Sequence, residues 1–279
     1  MWNILHSEWR SAVRGKLAYM FLFLWITIFS LIFVMERNTP ALAGYTNVTG
    51  TMVNLILYIV PLLMLIIGAF SIAGEVENGK WRLLCTYPLK STSYVIGKTI
   101  GQFIGQTAIF SISFGVSIII GLVNGSNFDM FWVVATYIFS VLLIFLFLLL
   151  GITIGSFSIT RWQALAISIV VWFFLIMMWP TALISVLNFV PYSMIAPLIK
   201  ILLFCNPAEF LRIIFVIQLG GGAIFGQVYD QVVIIFQSKA VIWILLIYCI
   251  IYTTVFLFMA GWQMERRRKN DSIKPQRSL

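Results

Sequence analysis

The sequence predicts an all-α integral membrane protein: six transmembrane helices, an N-terminal interfacial helix, and an outer re-entrant helical hairpin between spans five and six. Three observations carry that expectation. Of 279 residues, 61% are hydrophobic and only 10% are charged, with a mean hydropathy of +1.02; a soluble domain is roughly 45–50% apolar and 25% charged. Uninterrupted apolar stretches recur at 17–35, 52–74, 99–123, 131–157, 163–187 and 240–263, each near the roughly 20 residues that cross about 30 Å of hydrocarbon. Positive charge is asymmetric: with both termini inside, only Arg37, Lys200, Arg212 and Lys239 of the 18 Lys and Arg lie on the outer side, matching the basic bias of short cytoplasmic loops.

These numbers exclude a soluble globular protein and leave little chain for a domain outside the membrane, so 1–279 reads as one transmembrane domain. The net charge of +9 sits beside apolar spans rather than on a solvated face, which points to topology and away from nucleic acid. Cys85, Cys205 and Cys249 are scattered without CxxC or metal-ligand spacing, so neither a disulfide framework nor a zinc site is expected.

From the N-terminus, residues 1–16 form the interfacial helix: Trp2, Leu5, Trp9, Ala12 and Val13 recur at three- and four-residue steps, with His6, Glu8, Arg10 and Arg14 between them. The first span is too long for the core of a cleavable signal. Its flank Met35-Glu36-Arg37-Asn38 lacks small cleavage residues, so an uncleaved anchor is expected. After the second span, residues 75–98 form a charged inner loop. The third span opens with Gly97, Gly101 and Gly105, and the fourth ends with Gly151 and Gly155; glycines four apart share one helix face and let backbones approach closely, so these are helix-packing positions.

The connection 180–239 is apolar yet interrupted by Asn188, Pro191, Pro197, Lys200, Glu209, Arg212 and Asp230. A charge at the centre of a span costs about 2.5–3.5 kcal/mol on insertion scales, and one extra span would place the basic tail outside. Paired short helices entering from the outer face are therefore expected, with two further spans as the alternative. Within this stretch Asn206-Pro207-Ala208-Glu209 reads as a helix start: Asn caps, Pro suits the first helical position, and Glu209 can reach back or pair with Arg212 three residues on. Residues 264–279 read as a basic solvated tail.

The six stretches contain no Asp, Glu, Lys, Arg or His. That weakens proton- or sodium-coupled carriers and voltage sensors, which place such groups at depth. HExxH and GxSxG are absent, so hydrolase readings have no support, and the single histidine, His6, has no partner ligand in the pattern. Gly97-Lys98-Thr99 imitates the end of a phosphate loop, but Thr92 stands where that motif needs glycine. Met177, Met178, Met194 and Cys205 offer soft sulfur, yet their scatter reads as packing.

The segment Gly74-Glu75-Val76-Glu77-Asn78-Gly79-Lys80-Trp81-Arg82-Leu83-Leu84-Cys85-Thr86-Tyr87-Pro88-Leu89-Lys90 combines charge, an aromatic and an amphipathic turn. Trp81, Leu84 and Cys85 share one side and Pro88 stops the helix, so the segment reads either as a helix for a groove in a soluble partner or as a solvated interfacial loop. Glu-x-Glu/Asn-Gly, then Leu-Leu, Pro and Gly-Lys, resembles the permease subunits of ABC-2-type ATP-binding-cassette transporters, and the resemblance covers essentially the whole chain. Asn206-Pro207-Ala208-Glu209-Phe210-Leu211-Arg212 resembles the Asn-Pro-x-Asp-x-x-Arg motif of the NosY-type branch, associated with copper-site maturation of nitrous oxide reductase; Glu209 stands where Asp is usual.

The resemblance implies a homodimeric, non-enzymatic permease in the cell membrane, with two cytoplasmic ATPase subunits that bind ATP and Mg²⁺, no cofactor on this chain, and an outer-side accessory protein. It assigns Glu75, Glu77, Gly79, Lys80, Trp81, Arg82, Leu84 and Pro88 to ATPase coupling, and Asn206, Pro207, Glu209 and Arg212 to an outer motif; Trp81 is the expected anchor because aromatic residues dominate interface hot spots. An ABC-2 exporter of an antibiotic, peptide, lipid or polysaccharide would share this architecture. A secondary carrier or a structural subunit would need no ATPase.

Overall fold

The computed structural model describes residues 16–36, 47–87, 90–125, 129–226 and 229–273. The expected interfacial helix over 1–16 falls almost wholly outside them, as do Pro88 and the tail after Ile273. Among the described residues the chain is helical, with no strand. In order the elements are α1 (Lys16–Glu36), α2 (Asn47–Glu77), α3 (Lys80–Cys85), α4 (Ser91–Val123), α5 (Met130–Phe157), α6 (Arg161–Trp172), a π-helical run (Phe173–Met178), α7 (Trp179–Leu187), α8 (Tyr192–Cys205), α9 (Pro207–Gln218), a 3₁₀ turn (Gly221–Phe225), α10 (Asp230–Gln237) and α11 (Ala240–Ile273).

Helices occur over all six apolar stretches. Five are long and apolar enough to cross a membrane: α2, α4, α5, the run from α6 through α7, and α11. The helix over the first stretch, α1, has 21 residues, with a shorter apolar run at Tyr19–Leu31. With 31 residues in α2 and 33 in α4, these helices run about 45–50 Å at 1.5 Å per residue, longer than hydrocarbon is thick. Both therefore carry polar ends beyond the apolar layer.

Two expected boundaries move. The third apolar stretch begins at residue 99, but α4 starts at Ser91 and buries Lys98 near its N-terminal end; the charge is tolerated because it is paired within the protein. At the other end of the chain, residues 264–273 continue α11 rather than forming a loose tail. Met264 is fully buried, and Arg267 Nη2 donates to Ser158 O at 2.9 Å.

The most extensive helix interface is between α2 and α5, and absent side chains make it close. A Cβ on Gly151 would lie 2.5 Å from Leu65 O, one on Gly68 would lie 2.5 Å from Leu148 O, and one on Gly155 would strike the Ala69 carbonyl oxygen. Gly97, Gly101 and Gly105 are likewise buried in α4. Against α4 lies α1, through the rings of Trp25, Phe29, Phe110 and Phe114 at centroid separations of 5.2–5.8 Å. Ser113 and Ser117 bond back to Ile109 O and Ser113 O, so their hydroxyls remain satisfied without water.

The α6–α7 run and α11 lie at the periphery: only 11% and 6% of their apolar windows are buried. Large apolar side chains such as Val170, Trp243 and Phe258 point outward, an arrangement suited to lipid rather than water. At one bundle end, Thr160 Oγ1 accepts from Gln163 N while Gln163 Oε1 accepts from Ile159 N, closing the α5–α6 turn with reciprocal side-chain caps.

Because an added methyl at Gly151 meets backbone that cannot rotate away, overpacking of about 1–3 kcal/mol is expected there. Gly151→Ala should lower the midpoint of thermal unfolding in detergent by several degrees. Gly115→Ala, whose Cβ meets nothing within 4 Å, should not lower it.

Candidate functional site

The charged end of α2 is shaped by two glycines. At Gly74 the Arg161 guanidinium passes so close that a Cβ would lie 2.9 Å from Nε. Gly79 takes φ 70°, a left-handed conformation that favours glycine, and stops α2 so that α3 can begin at Lys80. After α3, Thr86 Oγ1 donates to Leu83 O at 2.7 Å and Tyr87 N donates to Leu84 O at 3.2 Å. The next helix, α4, begins at Ser91.

The two carboxylates of the Glu-x-Glu segment diverge. Lys98 Nζ bonds Glu75 Oε1 at 2.7 Å, and Tyr94 OH donates to the same carboxylate. Lys98 is 1% exposed and Glu75 is 23% exposed. Glu77 instead accepts from Arg161 N at 3.0 Å, with Arg161 Nε 3.7 Å away; an anion there also suits the positive end of the α6 dipole. Ser91 Oγ donates to Glu265 Oε2 at 2.6 Å. Hydrogen bonds thus tie α2 to α4 and α6, and α4 to α11, all at one end.

Trp81 faces inward. It was expected to face a partner, but it is 4% exposed and packs on the Tyr94 ring at 5.0 Å. Burying the indole against Tyr94 removes more apolar surface from water than presenting it from a six-residue helix. Leu84 and Cys85 are half-buried, whereas Lys80, Arg82, Leu83 and Tyr87 are exposed. An outward face therefore exists, made by Leu83 and Tyr87 with flanking cations. Sequence reasoning passed over Tyr94, Arg161 and Glu265; the four-residue spacing of Tyr94 and Lys98 on α4 was the one local signal for the Glu75 site.

The other candidate motif lies at a bend. Helices α8 and α9 meet at 112° around Asn206, which is 1% exposed. Its Oδ1 accepts from Ala208 N at 3.0 Å, capping α9, and Pro207 takes the first helical position. Its Nδ2 donates to Leu175 O, 2.6 Å away within the π-helical run. Pro180 stands five residues after Leu175 and has no N–H, so a π-type bond to that carbonyl has no backbone donor and Asn206 supplies one. Glu209 pairs with Arg212 through Nε at 3.0 Å and Nη2 at 2.5 Å. Met177, Met178 and Met194 are exposed, and no group of three His, Cys, Asp or Glu suited to a metal occurs among the described residues.

Asn206→Ala removes both a helix cap and the donor to a carbonyl, and should cost about 1–3 kcal/mol, seen as a lower unfolding midpoint. Because a buried charge left alone is worse than none, Glu209→Ala/Arg212→Ala should be no less stable than the poorer of its single variants; additive losses would show that the two act independently.

A family model for ABC-2 family transporter proteins matches residues 2–267. The chain is 26% identical over 229 residues to a probable ABC transporter permease protein NosY of Stutzerimonas stutzeri, covering 77% of this chain and 80% of that protein. It is 24% identical to the protein of the same name in Pseudomonas aeruginosa, with the same coverage. With apolar spanning helices and a match over nearly its full length, the chain belongs to the ABC-2 family and is the permease of an ABC transporter.

Proposed function

We propose that this chain couples ATP hydrolysis by a separate cytoplasmic subunit to transport across the cell membrane, as one half of a homodimer of the NosY type serving copper-site maturation of nitrous oxide reductase. The observation that carries the coupling reading is α3: a short helix at the charged end of the bundle, presenting Leu83 and Tyr87 outward and rooted in α2 and α4. The apolar stretches hold no Asp, Glu, Lys, Arg or His, so the energy enters from elsewhere. ATP and Mg²⁺ belong to the partner ATPase, and this chain binds neither.

In this reading α1 completes six spans and both termini are cytoplasmic, which keeps the basic segments inside. The bent α8–α9 pair is then a re-entrant hairpin on the outer side, where an accessory protein would dock. The branch is supported by the Asn206–Arg212 motif and by relatives bearing the NosY name.

Interface hot spots are worth about 2 kcal/mol or more each, roughly 30-fold in affinity. Leu83→Asp with Tyr87→Ala should leave the permease inserted and dimeric while the ATPase is lost on purification; full retention of the ATPase overturns α3 as the contact. The branch is tested by expressing the chain with its ATPase in a strain lacking its own NosY-type permease. Recovery of the reductase copper absorbance and activity is expected, and no recovery, with export of an antibiotic, peptide, lipid or polysaccharide instead, favours an exporter.

A further inference from the structure

Resting on the reading of α3 as the helix that receives the ATPase, we infer that Trp81, Tyr94, Glu75 and Lys98 form a relay carrying its motion into α4, with the Glu75–Lys98 pair as its positioning element.

The ion pair is a poor device for stability alone. Removing an ammonium and a carboxylate from water costs several kcal/mol per ion, and apolar side chains of similar volume commonly do as well or better. What the pair adds is direction. Tyr94 and Lys98 stand one turn apart on α4 and both grip one carboxylate of α2, and the Lys98 ammonium also lies 5.4 Å from the Tyr94 ring centroid. The two helices therefore hold a defined register at this point.

Two routes join α3 to that register. Along the chain, α3 follows Glu75 by five residues across the left-handed turn at Gly79. Through space, Trp81 lies against Tyr94, the residue that donates to Glu75. Trp81 is buried against that ring with centroids 5.0 Å apart, so α3 cannot move without pressing on Tyr94. Displacement of α3 thus shifts the tyrosine and the carboxylate together.

Glu77 is different. It and Arg161 are 36% and 51% exposed, and a solvated pair of that kind contributes little. The two acids of one short motif divide the work: Glu75 transmits to α4, and Glu77 caps α6 and yields.

The test uses the permease–ATPase complex in lipid nanodiscs, with Cys85, Cys205 and Cys249 replaced by alanine and a bimane fluorophore on Val123→Cys at the far end of α4. The parent complex should change its bimane emission on adding ATP and vanadate. Glu75→Met/Lys98→Met fills the site with apolar volume; it should insert and retain the ATPase, yet lose the emission change at least tenfold. Tyr94→Phe, which keeps the ring and removes one hydrogen bond, should reduce it several-fold. A parent-sized response in the double variant overturns the relay, as does no response in the parent. If the double variant fails to insert, a parent-sized response in Tyr94→Phe overturns it. A parent complex holding no ATPase would instead defeat the functional reading beneath it.

Discussion

Hydrocarbon offers no hydrogen bonds, and that constraint governs the backbone and the charged side chains among the described residues. Backbone groups are consumed within helices. The buried hydroxyls of Ser113, Ser117, Ser140 and Thr153 turn back onto carbonyls of their own helices. Charge is confined to the helix ends and the broken connection, and where it enters the protein it is paired: Lys98 with Glu75, Arg212 with Glu209. Helix association cannot draw on water exclusion between apolar faces, because lipid is as apolar as leucine; close packing replaces it. The α2–α5 seam, with Gly68, Gly151 and Gly155 at backbone contact, meets that requirement.

The same constraint explains the two irregular places. A π-helical run before Pro180 leaves a carbonyl short of a donor, and Asn206 answers it from the corner between α8 and α9. One side chain therefore fixes the bend, caps α9 and repairs the neighbouring span. Close by, burial and then the Glu209 carboxylate raise the Tyr229 phenol above its ordinary value, so that side chain stays neutral beside the ion pair. At the opposite extreme of regularity, α11 continues past the apolar layer to Ile273 and ties into the charged end through Glu265 and Arg267.

Much of this was legible in the residues because it is local. Apolar runs of spanning length, the glycine spacing at 151 and 155 and the Asn206–Pro207 helix start each depend on neighbours within a few positions. The pairs that organise the candidate site are not local: Glu75 meets Lys98 across 23 residues, Glu77 meets Arg161 across 84, and Ser91 meets Glu265 across 174. Without those partners, Lys98 reads as a loop charge and α4 as starting at 99. Trp81 misled for a related reason: periodicity places it on an apolar face but does not say whether that face meets a partner or Tyr94. The Leu175–Asn206 bond had only one sequence clue, a proline five residues after a carbonyl.

The outward face of α3 sits at the end where α2, α4, α6 and α11 are joined by hydrogen bonds and ion pairs, in a permease whose apolar stretches hold no Asp, Glu, Lys, Arg or His. The proposed coupling has energy entering there from an ATPase. A photo-crosslinking benzophenone residue in place of Leu83, activated in intact cells, tests this most directly. A covalent adduct with an ATP-binding subunit is expected from position 83 and none from position 184, near the other end of the α6–α7 run. Capture of that subunit from 184, with position 83 reaching only lipid, would contradict it.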